Sequence, residues 1–319
     1  MSAAPWGVQA FAGVSSTGSI TFLILGFAQG LTAGLAVQIS QSFGAGDAQA
    51  VKRHYVHNLV ISISVTAILT ALSLLGAGWL LHIMQTPSDI SGYARRYIRV
   101  IFGGMAASMF YNFFANTLRA LGDSKSPLYF LFVASGLNIA LDLVLILCTP
   151  LGVAGAAWAT VISQGVSALL CPVLILKKEE VLSLKGYHEK LQMTVIFQNL
   201  RLGLPMAFQS SITAIGTIFM TYATNRMGSL AVAAYAAGNK IDGIAVEPLR
   251  SLGLTMIAYT GQNYGAGKHK RILQGVRQSV LLLPRSCPWF WTSRCFSAAA
   301  GLPTFSWVPT MKKSWAARR

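Results

Sequence analysis

Charged side chains are scarce in this 319-residue chain: Asp, Glu, Lys and Arg make up 11% of it, against 54% hydrophobic residues, and the mean hydropathy is +0.55. Such poverty of charge excludes an ordinary soluble globular domain, in which about a quarter of residues are charged. Paired cysteines are lacking too. Cys148, Cys171, Cys287 and Cys295 form no CxxC pair and have no His at metal-ligand spacing, so neither a zinc site nor a disulfide framework is indicated. The opening "MSAAPWGVQAFAGVSSTGS" has no basic stretch, so no cleavable signal peptide is expected. A nucleophile, base and orienter at sensible spacing are also missing, so no enzyme, catalytic residue or resident cofactor is expected.

What the chain has is long apolar runs. Only helices and closed barrels satisfy their backbone in hydrocarbon, and a spanning helix needs about 20 apolar residues. The runs are helix-length, which predicts an all-α polytopic membrane protein with seven spans near 17–42, 56–81, 92–118, 127–149, 153–176, 200–224 and 231–261. An eighth begins near Ile272 and falters at Pro284. The longest polar insertion, "KKEEVLSLKGYHEK", reads as a linker between two bundles. The expected organisation is an N-terminal lobe over 1–176, a cytoplasmic linker over 177–199, a partial C-terminal lobe over 200–283 and an atypical tail over 284–319.

The formal charge of +16 does not call for nucleic acid, because the cations cluster beside apolar runs, where membrane topology explains them. Lys52, Arg53, Arg119, Lys125, Lys177, Lys178, Lys185, Lys190, Lys268, Lys270 and Arg271 fall on alternate loops, which marks those loops cytoplasmic. Arg95, Arg96 and Arg99 lie on the opposite side, where a watery vestibule would hold them. The tail packs four Pro and four Trp into 36 residues with six basic and no acidic side chains. A spanning helix cannot carry it. Loss of the reading frame near Leu283 is the expectation, and an unusual genuine tail the alternative.

One phrase recurs. "SQSFGAGD" (Ser40–Asp47) closes the first apolar run, and "GQNYGAGK" (Gly261–Lys268) closes another 221 positions later. Aligned without gaps, the two regions also share Ala10/Ala231, Ala12/Ala233, Ile20/Ile241 and Gln41/Gln262. A parallel internal repeat in a helical membrane protein indicates a two-lobed transporter. The Gly-Ala-Gly loops are not phosphate loops: Gln262 stands where a Walker pattern needs Gly, and His269 where it needs Ser or Thr.

Asn138 and Asp142 stand one helical turn apart, about 6 Å, and Asp142 lies roughly 22 Å along a span opened by Pro127. A carboxylate at that depth costs about 2.5–3.5 kcal/mol unless it is paired, hydrated or functional. With the hydroxyl of Thr160 on the next span, amide and carboxylate offer three oxygens to Na⁺, or Asp142 takes H⁺. A polar cluster that merely holds helices together is the plainer reading. Gly26, Gly30 and Gly34 form a small-residue stripe expected to pack closely. Met105, Met109, Phe110, Phe113 and Phe114 form a soft face for lipophilic cations, or simply core. Glu247 and Arg250 are spaced to pair, and Pro248 between them is expected to kink the helix.

The motifs "ISQSFGAGD", "LRALGDSKSPL", "GLNIALDLVLI", "GVAGAAWATVISQ", "GLPMAFQSS" and "GQNYGAGKHKRI" occur in an order that resembles the multidrug and toxic compound extrusion (MATE) transporters, over Ala10 to about Leu283. The resemblance implies a two-lobe helical bundle of which this chain holds the equivalents of helices two to eight, truncated at both ends. It implies a cation site at Asn138, Asp142 and Thr160, to which that branch adds an Asp on the helix that is missing here. Where other members carry a Glu on helix seven, this chain has Thr213. The implied function is a multi-pass plasma-membrane antiporter that exports small organic cations against Na⁺ or H⁺, acts as a monomer in the lipid bilayer, and has no nucleic-acid partner. Met105, Met109, Gln209, Asp242 and Glu247 are expected to line its substrate cavity. Impaired transport is expected of the truncated chain. The alternatives are a non-transporting fragment and a lipid-linked sugar flippase of the same superfamily.

Overall fold

The computed structural model describes residues 7–178, 182 and 189–286. The tail from 287 onward and linker residues 179–181 and 183–188 lie outside them. Among the described residues ten α-helices follow in order: α1 (Gly7–Ser16), α2 (Gly18–Gly44), α3 (Ala48–Ile83), α4 (Ser88–Gly103), α5 (Met105–Ala120), α6 (Lys125–Leu147), α7 (Val153–Lys178), α8 (Met193–Asn225), α9 (Ser229–Gly265) and α10 (His269–Ser286). Among the described residues five are long and apolar enough to cross a membrane, counting α1 and α2 together, and six if α4 and α5 make one broken span. At 37 residues α9, the expected seventh span, is long enough. Its Lys240, Asp242, Glu247 and Arg250 dilute its hydropathy, so it is not among the five.

Helix ends follow local chemistry. Gly46, Gly122 and Gly267, just past α2, α5 and α9, have φ of 77°, 91° and 68°, a left-handed conformation that glycine reaches without a Cβ penalty. Asp47 then restarts the chain by accepting the Ala50 amide at 2.9 Å. Asp123 does the same for α6, accepting from the Lys125 and Ser126 amides at 3.1 and 3.0 Å. Such caps supply acceptors for amides that a helix start leaves unbonded.

Several expected boundaries moved, and the span predicted from 56 starts at Ala48. The span predicted over 92–118 is broken at Gly104, where α4 and α5 meet at 47°. Val161 of α7 packs into the corner, and a Cβ on Gly104 would overlap its side chain, standing 2.8 Å from Val161 Cβ. The span predicted from 200 starts at Met193 instead. Its polar beginning, Gln198, Asn199 and Arg201, looks like a boundary in sequence, but Asn199 is fully buried against the N-terminal lobe.

The packing has a clear inside. Tyr55 of α3 stacks on Phe113 of α5 at 5.6 Å, and Phe114 meets Phe113 edge-on at 5.2 Å. By contrast α6 buries only Ser126, Pro127 and Ala134, and turns Phe132, Ile139, Leu143 and Leu147 outward, as a lipid-facing helix does. At the centre, α2 touches α3 and α5 of its own lobe and α8 and α9 of the other. Two glycines of its stripe make that possible. A Cβ on Gly34 would stand 2.6 Å from Gly203 Cα of α8, and one on Gly30 2.9 Å from Ala207 Cα. Gly26 has more room, with nothing closer than 3.8 Å.

The corner at Gly104 gives a direct test. Gly104→Ala should destabilise the chain by about 1–3 kcal/mol through overpacking, read as a lower melting temperature in detergent. Adding Val161→Ala should restore most of the loss. If Val161→Ala brings no rescue, Val161 is not what keeps position 104 a glycine.

Candidate functional site

α6 and α7 pack along each other in opposite directions, and two contacts fix their register. Gly155 abuts the Leu145 backbone, at 2.8 Å from a Gly155 Cβ to Leu145 O. Further along, Ser167 Oγ donates to Phe130 O at 3.0 Å. Each step up one helix is a step down the other, so Thr160 lies level with residues 137 to 140 of α6. That is the height of Asn138 and just short of Asp142.

The polar atoms there are unusual. Asn138 Nδ2 and Asp142 Oδ1 are buried without a hydrogen-bond partner, and so is Gln164 Oε1, one turn beyond Thr160 on α7. Leaving such a group unbonded costs about 1–3 kcal/mol, more for a charged one. Thr160 donates its hydroxyl to Ala156 O at 3.0 Å, which leaves its lone pairs available as acceptors. Tyr97 of α4 lies within electrostatic reach of Asp142. The set is rich in oxygen and carries one carboxylate, which suits a monovalent cation or a proton. Among the described residues no three His, Cys, Asp or Glu come together. Gln164 had no signal in sequence, because a lone Gln in an apolar run gains meaning only from its register against α6.

Two of the five residues expected to line a substrate cavity are taken up by packing. Met105 and Met109 are each 1% exposed and sit in two different apolar clusters. Phe113 and Phe114 are also core. Large soft side chains at helical spacing serve packing as readily as binding, and here packing claims them. Gln209, Asp242 and Glu247 are exposed. Glu247 pairs with Arg250 at 3.7 Å as its spacing predicted, and Arg250 also lies over the Phe22 ring at 5.2 Å. None of the five lines the cavity of about 310 Å³ that opens where α2 meets α9. The charged residues of that cavity are Lys268 and Arg271, which would repel an organic cation.

Sequence reading also missed a polar relay between the lobes. His54 Nδ1–H donates to Asn199 Oδ1 at 2.8 Å, Asn199 Nδ2 to Asn58 Oδ1 at 2.7 Å, and Asn58 Nδ2 to Leu35 O at 2.9 Å. Donors point one way through α3, α8, α3 again and α2. Beside it, His57 Nδ1–H donates to Arg53 O at 2.7 Å and its Nε2 accepts the Gln192 amide at 2.9 Å, which fixes a neutral tautomer. The linker end is held from outside by Glu189, which accepts from Arg53 Nε at 2.7 Å and Gln49 Nε2 at 2.8 Å.

Those donors hold the Glu189 carboxyl below the usual carboxylate range, the Arg53 bond being the larger cause. A depressed carboxylate contributes fully above its ordinary pKa of about 4.3 and loses that contribution as pH falls through the lower folded value. At neutral pH, Glu189→Gln should therefore speed hydrogen exchange at residues 189–193. In acid the wild type should converge on the variant. A constant difference across that range would contradict the ion pair's role.

Comparison with known proteins agrees with this architecture. The MatE family pattern matches residues 1–144 and 205–284, more than half of the chain. "Probable multidrug resistance protein YoeA" of Bacillus subtilis (strain 168) is 30% identical over 283 residues, covering 86% of this chain and 61% of the relative. Solved structures of a multidrug resistance MATE family transporter of the MOP superfamily superpose in two conformations. The outward-facing one gives a TM-score of 0.76 over 85% of this chain and 60% of that one. The inward-facing one gives 0.72 over 88% and 63%. At 24% identity both show the fold alone. The chain thus spans about 60% of the length of the relatives it matches. The family match takes in both Gly-Ala-Gly copies and the helix of Asn138 and Asp142, and the chain belongs to the MatE family of multidrug and toxic compound extrusion transporters.

Proposed function

We infer that this protein exports small organic cations or drugs across the cell membrane in exchange for Na⁺ or H⁺, with the coupling ion bound at Asp142, Asn138 and Thr160. The observation that carries this reading is the buried, unbonded carboxylate oxygen Asp142 Oδ1, with the Asn138 amide one turn away and Thr160 at nearly the same height. An empty Asp142 is an uncompensated charge beneath lipid. Binding Na⁺ or a proton neutralises it, so the loaded and empty states favour different surroundings for α6. A ligand shifts a conformational equilibrium only through such a difference in affinity. Drug export as the direction and substrate class rests on three relatives, each named a probable multidrug resistance protein. The plasma membrane is the expected location. A monomer is the expected working unit.

A ligand at a hundred times its Kd stabilises the folded state by about 2.7 kcal/mol. Purified wild type should therefore melt at higher temperature as Na⁺ rises, or as pH falls, and Asp142→Asn should lose that response. Identical responses in both proteins would remove Asp142 from the site. In a strain stripped of efflux pumps, ethidium accumulation lower in wild type than in Asp142→Asn supports export. Equal accumulation in vector, wild type and variant assigns the chain to the non-transporting reading.

A further inference from the structure

The two Gly-Ala-Gly copies, 221 positions apart in sequence, meet in space. A Cβ on Gly44 would collide with the Gln262 carbonyl and lie 2.8 Å from Gln262 Cα. A Cβ on Gly265 would collide with the Gln41 carbonyl and lie 3.0 Å from Gln41 Cα. Gly44 and Gly265 are equivalent positions of the repeat, and so are Gln41 and Gln262. Each glycine thus receives the backbone of the other copy's glutamine. The third equivalent pair, Ser40 and Gly261, faces itself across the same junction, with 2.6 Å from a Gly261 Cβ to Ser40 Cβ. This is the pattern of a two-fold interface, in which residue i meets j and j meets i.

We propose that the two Gly-Ala-Gly turns form one reciprocal seal, which closes the gap between the lobes at the end carrying the basic loops and parts when the lobes rock. Gln262 is the positioning residue that holds it shut. The proposal rests on the transport reading above and adds the element that opens. Three features suit a contact made and broken repeatedly. Backbone meets backbone at the glycines, so at those points no large side chain must be withdrawn from a pocket. Gln262 Nε2 donates to Ala120 O at 2.9 Å, which ties α9 to the end of α5 with one hydrogen bond, worth only about 0.5–1.5 kcal/mol net. Ser40 Oγ, 1% exposed by residue, is buried there without a partner, a cost that parting relieves by admitting water.

The test is the labelling rate of Ser40→Cys by a polar maleimide in purified protein in nanodiscs, read by mass spectrometry on the peptide that contains position 40. Burial in the seal is what protects that thiol. Gly265→Ala should speed labelling by about 5- to 100-fold, the consequence of overpacking by roughly 1–3 kcal/mol. Gln262→Ala adds no volume and should speed it by about 2- to 10-fold through the lost hydrogen bond. Gly253→Ala is the control on the same helix, where an added Cβ meets nothing within 4 Å, and should leave the rate unchanged. The seal is overturned if Gln262→Ala and Gly265→Ala label like the parent, or if Gly253→Ala accelerates labelling as much as they do. Labelling needs no substrate, so the two readings fail separately. A chain that shows this pattern yet leaves ethidium accumulation unchanged keeps the seal and loses export, whereas one indifferent to the seal variants loses the seal whatever it transports.

Discussion

The close approach of α2 to the helices of the other lobe is the constraint on which the rest of the fold depends. Gly30 and Gly34 bring α2 against Ala207 and Gly203 of α8, and Gly44 and Gly265 bring the ends of α2 and α9 together. In lipid, helix association gains little from the hydrophobic effect, so van der Waals contact between backbones and a few interhelical hydrogen bonds must supply it. Glycine allows the first. The relay from His54 through Asn199 and Asn58 to Leu35 supplies the second. Together they set α8 beside the N-terminal lobe and leave α6, on the far side, facing lipid with its two buried polar atoms.

That division of labour gives the candidate cation site its physical sense. Asn138 and Asp142 belong to a helix that makes few contacts with the core, so their surroundings can change without unpacking the aromatic cluster around Tyr55 and Phe113. The tight helices form the opposite group: a substitution at Gly30 or Gly34 disturbs backbone. A transporter needs both kinds of region, one stiff enough to transmit a movement and one whose energy depends on what it holds.

Much of this was legible in the sequence where the signal is local. Apolar runs of helix length gave most of the spans, the Gly-Ala-Gly repeat pointed to two lobes, the glycine stripe gave close packing at Gly30 and Gly34, and the three-residue spacing gave the Glu247–Arg250 pair. What stayed hidden depends on a partner distant in sequence. The corner at Gly104 is filled by Val161, and the early part of α8 is held by Asn58 meeting Asn199. Met105 and Met109 read equally well as a drug-binding face and as core, because composition cannot say what stands opposite. Gln164 becomes a neighbour of the site only through the register of α7 on α6. The repeat itself was read as a marker of equivalent positions, and its copies prove to be each other's contact.

The central claim is that occupancy of Asp142 and closure of the lobes are coupled. Ala48 and His269 are exposed, equivalent positions of the repeat just beyond the two Gly-Ala-Gly turns, so spin labels there report the gap directly. Double electron–electron resonance on that pair should show a distance distribution that shifts between ion-depleted and Na⁺-saturated or acidified wild type, and does not shift in Asp142→Asn. One unchanging distribution in wild type under all these conditions would contradict the account.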